Sequence, residues 1–330
     1  MKRLFLIISI LFPFLAGAQE GVKVTRIWDN DYSAFPSIEQ FNGKYFIAFR
    51  EGKSHIFDEN GIAAGKARIL VSKNGKKWES VALLAKDGYD LRDPKLSVTP
   101  DGRLMVIMGG SIYRNRNLDA QIPQVSYSSD GIHFTDPEPV VFDKNITDSH
   151  EWIWRVTWNG DTGYGVTYGD HFALLKTKDG KKYEYITELN VPDFPGESTV
   201  RFLPDGRMLM MIRREKADCL GYWGVSNPPY TDWTWKKMDL HLGGPDFTLL
   251  DNGTVVVGTR YYYPHHAKTM ILKGDVEGNF EEMYLLPSGG DTSYPGFITV
   301  GDELWMVYYS SHELGRAAIY LAKMPLSLFN

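Results

Sequence analysis

In the stretch GESTVRFLPDGRMLMMIRRE, residues 196–215, Glu197 opens one apolar run and Arg213 and Arg214 close the next. The Pro-Asp-Gly turn between the runs folds the arginines back beside the carboxylate. A carboxylate with charged neighbours can be tuned for proton transfer, and a guanidinium presents a planar, bidentate fork to an anion. Neighbours on a strand alternate in direction, so one arginine of the doublet is expected to point at Glu197. Arg213 is assigned that position, and Arg214 a structural or solvent-facing one. Similar residues stand at the ends of other apolar runs: Arg50 with Glu51, Arg92 with Asp93, His150 and Glu151 ahead of Arg155, then Asp246, Arg260 and Tyr294. Gathered on one face, Arg50, Arg92, Arg155, Arg213 and Arg260 would hold an anionic group, with Asp246 among them. The competing use of the same residues is as salt bridges lining a channel.

What could gather them is a repeat. No stretch beyond the N-terminal segment keeps a helical period. Short runs of Val, Ile, Phe, Tyr and Trp alternate instead with Gly-containing turns. Asn42-Gly43, Asp101-Gly102, Asn159-Gly160, Asp205-Gly206, Asn252-Gly253 and Gly301-Asp302 each split two such runs, at intervals of 46–59 residues. Most of these pairs suit type I′ hairpin turns, whose two central residues need positive φ. Between the hairpins comes a second motif, Ser/Thr-x-Asp/Asn-Gly-x-x-aromatic, at Ser72–Trp78, Ser128–Phe134 and Thr177–Tyr183. Its hydroxyl and Asx side chains can bond the turn backbone while the aromatic ring enters the core.

Hairpin, loop, hairpin makes four strands, and six repeats predict an all-β chain: a six-bladed β-propeller of four-stranded antiparallel blades. The segment VKVTRIWD near Val22 is expected to supply an outer strand to the last blade, which closes the ring and removes open edges. In a blade, the start of the first strand and the end of the second share one face, which carries the charged residues named above. The Gly turns and the Ser/Thr-x-Asp-Gly motifs fall on the other.

The repeated Ser/Thr-x-Asp-Gly-x-x-aromatic turns on a six-fold hairpin resemble the sialidase superfamily over residues of about 22–326. In sialidases a Glu opening a fourth-blade strand hydrogen-bonds a Tyr nucleophile, and an Arg ending that hairpin binds the substrate carboxylate. GESTVRFLPDGRMLMMIRR is similar to that hairpin and DTSYPGFITVGDELWMVYY to the nucleophile segment. The resemblance therefore implies Glu197, Arg213 and Tyr294 in those roles. A neutral nucleophile suits an anionic sugar, because it is not repelled by the substrate carboxylate. Two departures stand beside it. The first-blade Arg-Ile-Pro of sialidases is Ala34-Phe35-Pro36 here, leaving Arg50 as a possible substitute. The family's general acid is an Asp in the following loop; here that loop, EGKSHIFDENGIAAGK, offers Asp58 and His55 without a clear match. Asp93 is the better-placed acid on topology.

Composition bounds the rest. A chain of 330 residues with 43% apolar and 14% aromatic residues can bury a sizeable core. A net charge of -5 and the lack of a basic run argue against a nucleic-acid partner. Cys219 is the single cysteine, and no Cys/His cluster has zinc spacing, so neither metal nor cofactor is expected. MKRLFLIISILFPFLAGA has the basic start, short apolar run and small-residue end of a cleavable signal peptide. The expected organisation is a signal peptide at 1–18 and one propeller domain at 19–330, exported to the periplasm or secreted, monomeric, and not inserted in a membrane. The expected function is a sialidase-like glycoside hydrolase that releases a terminal acidic sugar from a glycan. The alternatives are a glycosidase using a carboxylate pair drawn from Asp93, Glu197 and Asp246, and a non-catalytic glycan-binding propeller.

Overall fold

The structure is a computed structural model that describes residues 21–146, 150–263 and 266–330. The signal-peptide expectation for residues 1–18 lies outside the described residues. Six antiparallel sheets follow one another along the chain. Blade one is β2 (Tyr32–Phe41), β3 (Lys44–Gly52), β4 (Lys66–Ser72) and β5 (Glu79–Leu84). Blade two is β6 (Asp90–Val98), β7 (Leu104–Arg114), β9 (Gln124–Ser128) and β10 (Glu138–Pro139), with β8 (Asn117–Gln121) also paired to β7. Blade three is β12 (Trp152–Asn159), β13 (Thr162–Tyr168), β14 (Ala173–Thr177) and β15 (Lys182–Glu188). The short β11 (Val141–Phe142) lies parallel on its edge. Blade four is β16 (Pro195–Phe202), β17 (Met208–Arg214), β18 (Leu220–Ser226) and β19 (Trp233–His241). Blade five is β20 (Asp246–Leu249), β21 (Val255–Tyr263), β22 (His266–Gly274) and β23 (Phe280–Leu285). Blade six takes β24 (Thr292–Val300), β25 (Glu303–Ser310) and β26 (Ala318–Pro325) from the C-terminal end and β1 (Lys23–Trp28) from the N-terminal end. The expected six-fold architecture and ring closure are present. Blades two and three differ from it by carrying five strands each.

The apolar faces of neighbouring blades make the core. Phe46, Ala48 and Ile69 of blade one meet Leu91, Leu96 and Val106 of blade two, all buried. The Ser/Thr-x-Asp/Asn-Gly turns fasten these seams. Ser72 Oγ accepts the Gly75 amide at 2.9 Å, and Ser128 and Thr177 do the same for Gly131 and Gly180. Each glycine sits flat on a side chain of the preceding blade: Gly75 on Trp305, Gly131 on Phe46, Gly180 on Met105. The motif's aromatic residues Trp78, Phe134 and Tyr183 join the clusters beside them.

A second regularity sets the centre of the ring. In five of the six blades the inner strand carries a bulge at the same place, with two residues facing one on the next strand. The bulged residues are Phe35-Pro36, Asp93-Pro94, Trp154-Arg155, Gly196-Glu197 and Tyr294-Pro295. Phe35, Asp93 and Tyr294 have φ of 60°, 45° and 54°, conformations that cost non-glycine residues and are harder still before proline. Surrounding packing enforces them, and each turns its side chain to the axis.

Gly75 has φ of +66°, and a Cβ there would overlap the Trp305 ring, whereas one at Gly43 (φ +69°) would meet nothing. Gly75→Ala should therefore lose about 2–4 kcal/mol of stability from left-handed strain plus overpacking, and Gly43→Ala about 1–2 kcal/mol from strain alone. Urea unfolding midpoints of the two variants measure the difference.

Candidate active site

The bulges place Tyr294 over Glu197. The Tyr294 hydroxyl donates to Glu197 Oε1 at 2.5 Å. Arg213, the single residue opposite the Gly196-Glu197 bulge, donates from Nη1 to Glu197 Oε2 at 2.8 Å and to the Tyr294 oxygen at 3.1 Å. The Gly244 amide also donates to Glu197 Oε2 at 3.0 Å. Gly244 must lack a side chain, since a Cβ there would collide with the Tyr294 ring. Around that ring stand Phe35 (5.0 Å between centroids), Trp154 (6.0 Å) and Tyr309 (5.9 Å), with the Arg260 guanidinium 5.5 Å from its centre.

Electrostatics keep the proton on the tyrosine. Burial, then the Glu197 charge, push the Tyr294 hydroxyl well above its ordinary value against Arg213 and Arg260. Burial also works to raise Glu197, but the Arg213 charge and the hydrogen bonds from Tyr294 and Arg213 outweigh it and hold the carboxyl below its ordinary value. The pair is thus a protonated phenol beside an ionised acceptor.

Asp93 is 4% exposed, and its Oδ1 is buried without a hydrogen-bond partner. Burial raises its pKa, and Lys95 and Arg92 only partly oppose this. Lys95 is a residue that sequence reasoning missed. It is buried, its Nζ donates to the carbonyls of Phe35 and Pro36 at 3.3 and 3.1 Å, and it lies 5.2 Å from the Trp154 ring centre and 6.0 Å from that of Tyr294. Burial, with Arg155 nearby, lowers its pKa to about 7. The only sequence signal was a lysine inside an apolar strand, PKLSV.

The other arginines are spread differently from the expectation. Arg50 is 1% exposed; its donors go to Asp90 (2.7 and 3.1 Å) and to the Ser54 carbonyl (2.8 Å). Asp246 is fully buried between Arg155 (2.9 Å) and Arg201 (2.8 Å). These are salt bridges across blades one and two and across blades three, four and five. Arg50, Arg155 and Asp246 therefore sit in the wall rather than on its open surface, a correction that follows from the need to neutralise buried charge. Arg214 is likewise structural, held by the Leu220 carbonyl, Asp193 and Asp218. The Arg92 guanidinium covers the Phe35 ring at 5.4 Å, and its Nη1, which makes no hydrogen bond, lies 3.7 Å from Asp90. Arg213 also meets Glu215 at 2.8 Å on the rim.

Arg260 leads into a network that the sequence did not suggest. It donates to the Thr292 carbonyl at 2.9 Å, to Tyr309 at 3.0 Å and to Asp291 at 3.3 Å. Asp291 accepts as well from Tyr309 (2.6 Å) and Tyr32, and pairs with His55 Nδ1 at 2.6 Å. Burial alone would raise Asp291; the bond and charge of His55, with Tyr309 and Tyr32, bring it down to about 2. The His55 ring packs edge-on against Phe35 at 5.1 Å, so this loop residue belongs to the site. Asp58 does not: its carboxylate caps its own turn, accepting the amides of Asn60 and Ile62. Among the described residues no group of three or more His, Cys, Asp and Glu side chains is arranged to hold a metal.

No family model and no curated protein sequence matches this chain. Solved structures do. A Dyadobacter fermentans protein of unknown function aligns with a TM-score of 0.76 and 18% identity over 92% of this chain and 99% of its own. An α-L-arabinofuranosidase of Fusarium graminearum, in complex with an iminosugar inhibitor, aligns with a TM-score of 0.69 and 15% identity over 92% and 98%. A Trypanosoma rangeli sialidase in complex with the inhibitor DANA aligns with a TM-score of 0.69 and 8% identity over 92% of this chain and 59% of its own. The chain has the six-bladed propeller fold of sialidases and arabinofuranosidases.

Lys95 generates a pH dependence with a definite sign. Its folded pKa, about 7, lies below the ordinary lysine value of 10.5, so between these the unfolded chain binds more protons and stability rises with pH. Chemical denaturation at pH 7 and 8.5, below the range where unfolded tyrosines titrate appreciably, should show that rise in the wild type. Lys95→Met should flatten it.

Proposed function

We propose that the protein is a glycoside hydrolase that removes a terminal sugar, with Tyr294 as nucleophile, Glu197 as its base and Asp93 as general acid. The observation that carries this reading is the 2.5 Å hydrogen bond from Tyr294 to Glu197, with Arg213 bonded to both. In the first step the phenolic oxygen attacks the anomeric carbon as Glu197 takes its proton, and Asp93 protonates the departing glycosidic oxygen. In the second, water attacks the same carbon and gives its proton to Asp93, while Tyr294 leaves and recovers the proton from Glu197. The two carboxyls are pulled in opposite directions, Asp93 up and Glu197 down, as an acid and a base in one site require. The solved structures that share the fold, among them a sialidase, an arabinofuranosidase and an arabinanase complexed with arabinobiose, support a carbohydrate substrate. The apolar N-terminal segment supports export to the periplasm or beyond, where a monomer would meet extended glycans.

A sialidase-like reaction would place an acidic sugar here, its carboxylate on Arg213 and Arg260. One observation favours a neutral terminal sugar instead. Arg50, Arg155, Arg213 and Arg260 already face Asp90, Asp246, Glu197 with Glu215, and Asp291. Apolar Ala34 and Phe35 stand where the sialidase pattern has its first arginine. An incoming carboxylate would have to displace a protein carboxylate, whereas a neutral ring would not.

A panel of aryl glycosides and natural glycans, neutral and acidic, tests both readings. Tyr294→Phe and Glu197→Gln should each lower kcat by about 10³. For the wild type, kcat/KM should fall on the alkaline side as Asp93 ionises, above the ordinary carboxyl range, and Asp93→Asn should abolish that limb. Turnover that survives Tyr294→Phe but not Glu197→Gln would move the reaction to a carboxylate pair. Binding without turnover on the whole panel would leave a glycan-binding propeller.

A further inference from the structure

Beside the axial site, on the same face, a cavity of about 730 Å3 opens between blades one and two. Its walls are the 60–66 segment of the loop after β3, the 85–89 link into β6, and the tip of the β7–β8 hairpin. The lining combines small residues, Ala63, Ala64, Gly65, Ala85 and Gly88, with the half-buried Tyr89 and Tyr113. Tyr113 is braced edge-on by Phe57 at 5.1 Å, and the exposed Arg116 covers Phe57 from 5.7 Å. Lys66, Lys86 and Arg116 line the cavity against a single carboxylate, Asp87. That excess of positive charge contrasts with the paired arginines at the axis.

Two contacts connect the cavity wall to the axial site. The Gly65 amide donates to Asp90 Oδ1 at 2.9 Å, so one backbone segment lines the cavity and backs the Arg50–Asp90 pair. Arg92 carries the link onward: its Nη1 lies 3.7 Å from Asp90, and its guanidinium covers the Phe35 ring at 5.4 Å, which packs against the Tyr294 ring at 5.0 Å. A chain leaving the sugar over Tyr294 would pass Phe35 and Arg92 on its way to the cavity.

We infer that this trough is a subsite for the leaving-group side of the substrate, taking an acidic oligosaccharide segment whose rings lie on Tyr113 and Tyr89 and whose carboxylates face Arg116 and Lys66. The assignment of the segment to the leaving group rests on the glycosidase reading; the binding itself does not. Tyrosine rings beside small residues leave room for sugar rings to pack, and exposed cations add a salt-sensitive attraction.

The test titrates the Tyr294→Phe protein by calorimetry with a hexameric oligogalacturonide and with its carboxyl-reduced, neutral counterpart. The acidic hexamer should bind more tightly, and should weaken as salt rises. Arg116→Ala and Lys66→Ala, both at exposed positions, should each weaken it about tenfold while leaving the neutral hexamer unchanged. An unchanged thermal midpoint checks that the variants are folded. Equal affinity for the two hexamers, no binding of either, or affinity indifferent to both substitutions overturns the inference. Acidic-hexamer binding that needs Arg116, in a protein that hydrolyses no glycoside, keeps the trough and removes the glycosidase reading. Hydrolysis of aryl glycosides with no such binding does the reverse.

Discussion

Glu197 is a carboxylate at the axis of a ring of sheets, only 8% exposed and so shielded from most of the water that would otherwise stabilise its charge. An isolated ion in such a place would take up a proton. It stays ionised because donors reach it from three parts of the ring: Arg213 from its own blade, the Gly244 amide from the approach to blade five, and the Tyr294 hydroxyl from blade six. Each donor depends on a further constraint. Arg213 faces Glu197 because the bulge sets two residues against one. The amide can approach because Gly244 has no side chain to strike the Tyr294 ring. Tyr294 points inward because its backbone is held at a positive φ ahead of Pro295. Loosening any of the three would weaken the hold on the ionised form of the carboxylate.

The same requirement explains the rest of the axis. Asp90 and Asp246 are fully buried and lie with Arg50, and with Arg155 and Arg201, on other blades. Such pairs contribute modestly to net stability, but breaking one strands a buried charge, so they fix how the blades register against one another. Lys95 is the exception. It has two carbonyls and two aromatic rings for company rather than a bonded carboxylate, and it answers by giving up its proton more readily.

The architecture was legible in the sequence because its signals are local. Asn42-Gly43 or Thr177-Lys178-Asp179-Gly180 specify a turn within a few residues, and the period between such turns counts the blades. The shared face of Glu197 and Arg213 followed from one hairpin. The extra strands β8 and β11 are short and lack a pattern of their own, so blades two and three came out larger than expected. The partners of the arginines were beyond reach for another reason. Arg50 and Asp90 are 40 residues apart, and Arg201 and Asp246 are 45 apart. Nothing near an arginine reveals whether an acid from another blade will neutralise it. The positive φ at Phe35, Asp93 and Tyr294 ran against local propensity, since a bulky or charged residue before proline favours extended backbone. Local rules failed most at the residues that line the site.

The seam in blade six has a consequence for how the molecule comes into being. β1 pairs only with β26, on register from Lys23 opposite Lys323. During synthesis, β1 emerges first and its partner roughly 300 residues later, by the spacing of those two strands. Until then β1 has no sheet to join, and the growing row of blades keeps an unsealed edge at each end. Completion of the ring is therefore a single late event that depends on the two most distant strands of the chain. The axial site, which draws Tyr294 from that last blade, likewise waits for the last blade to be made.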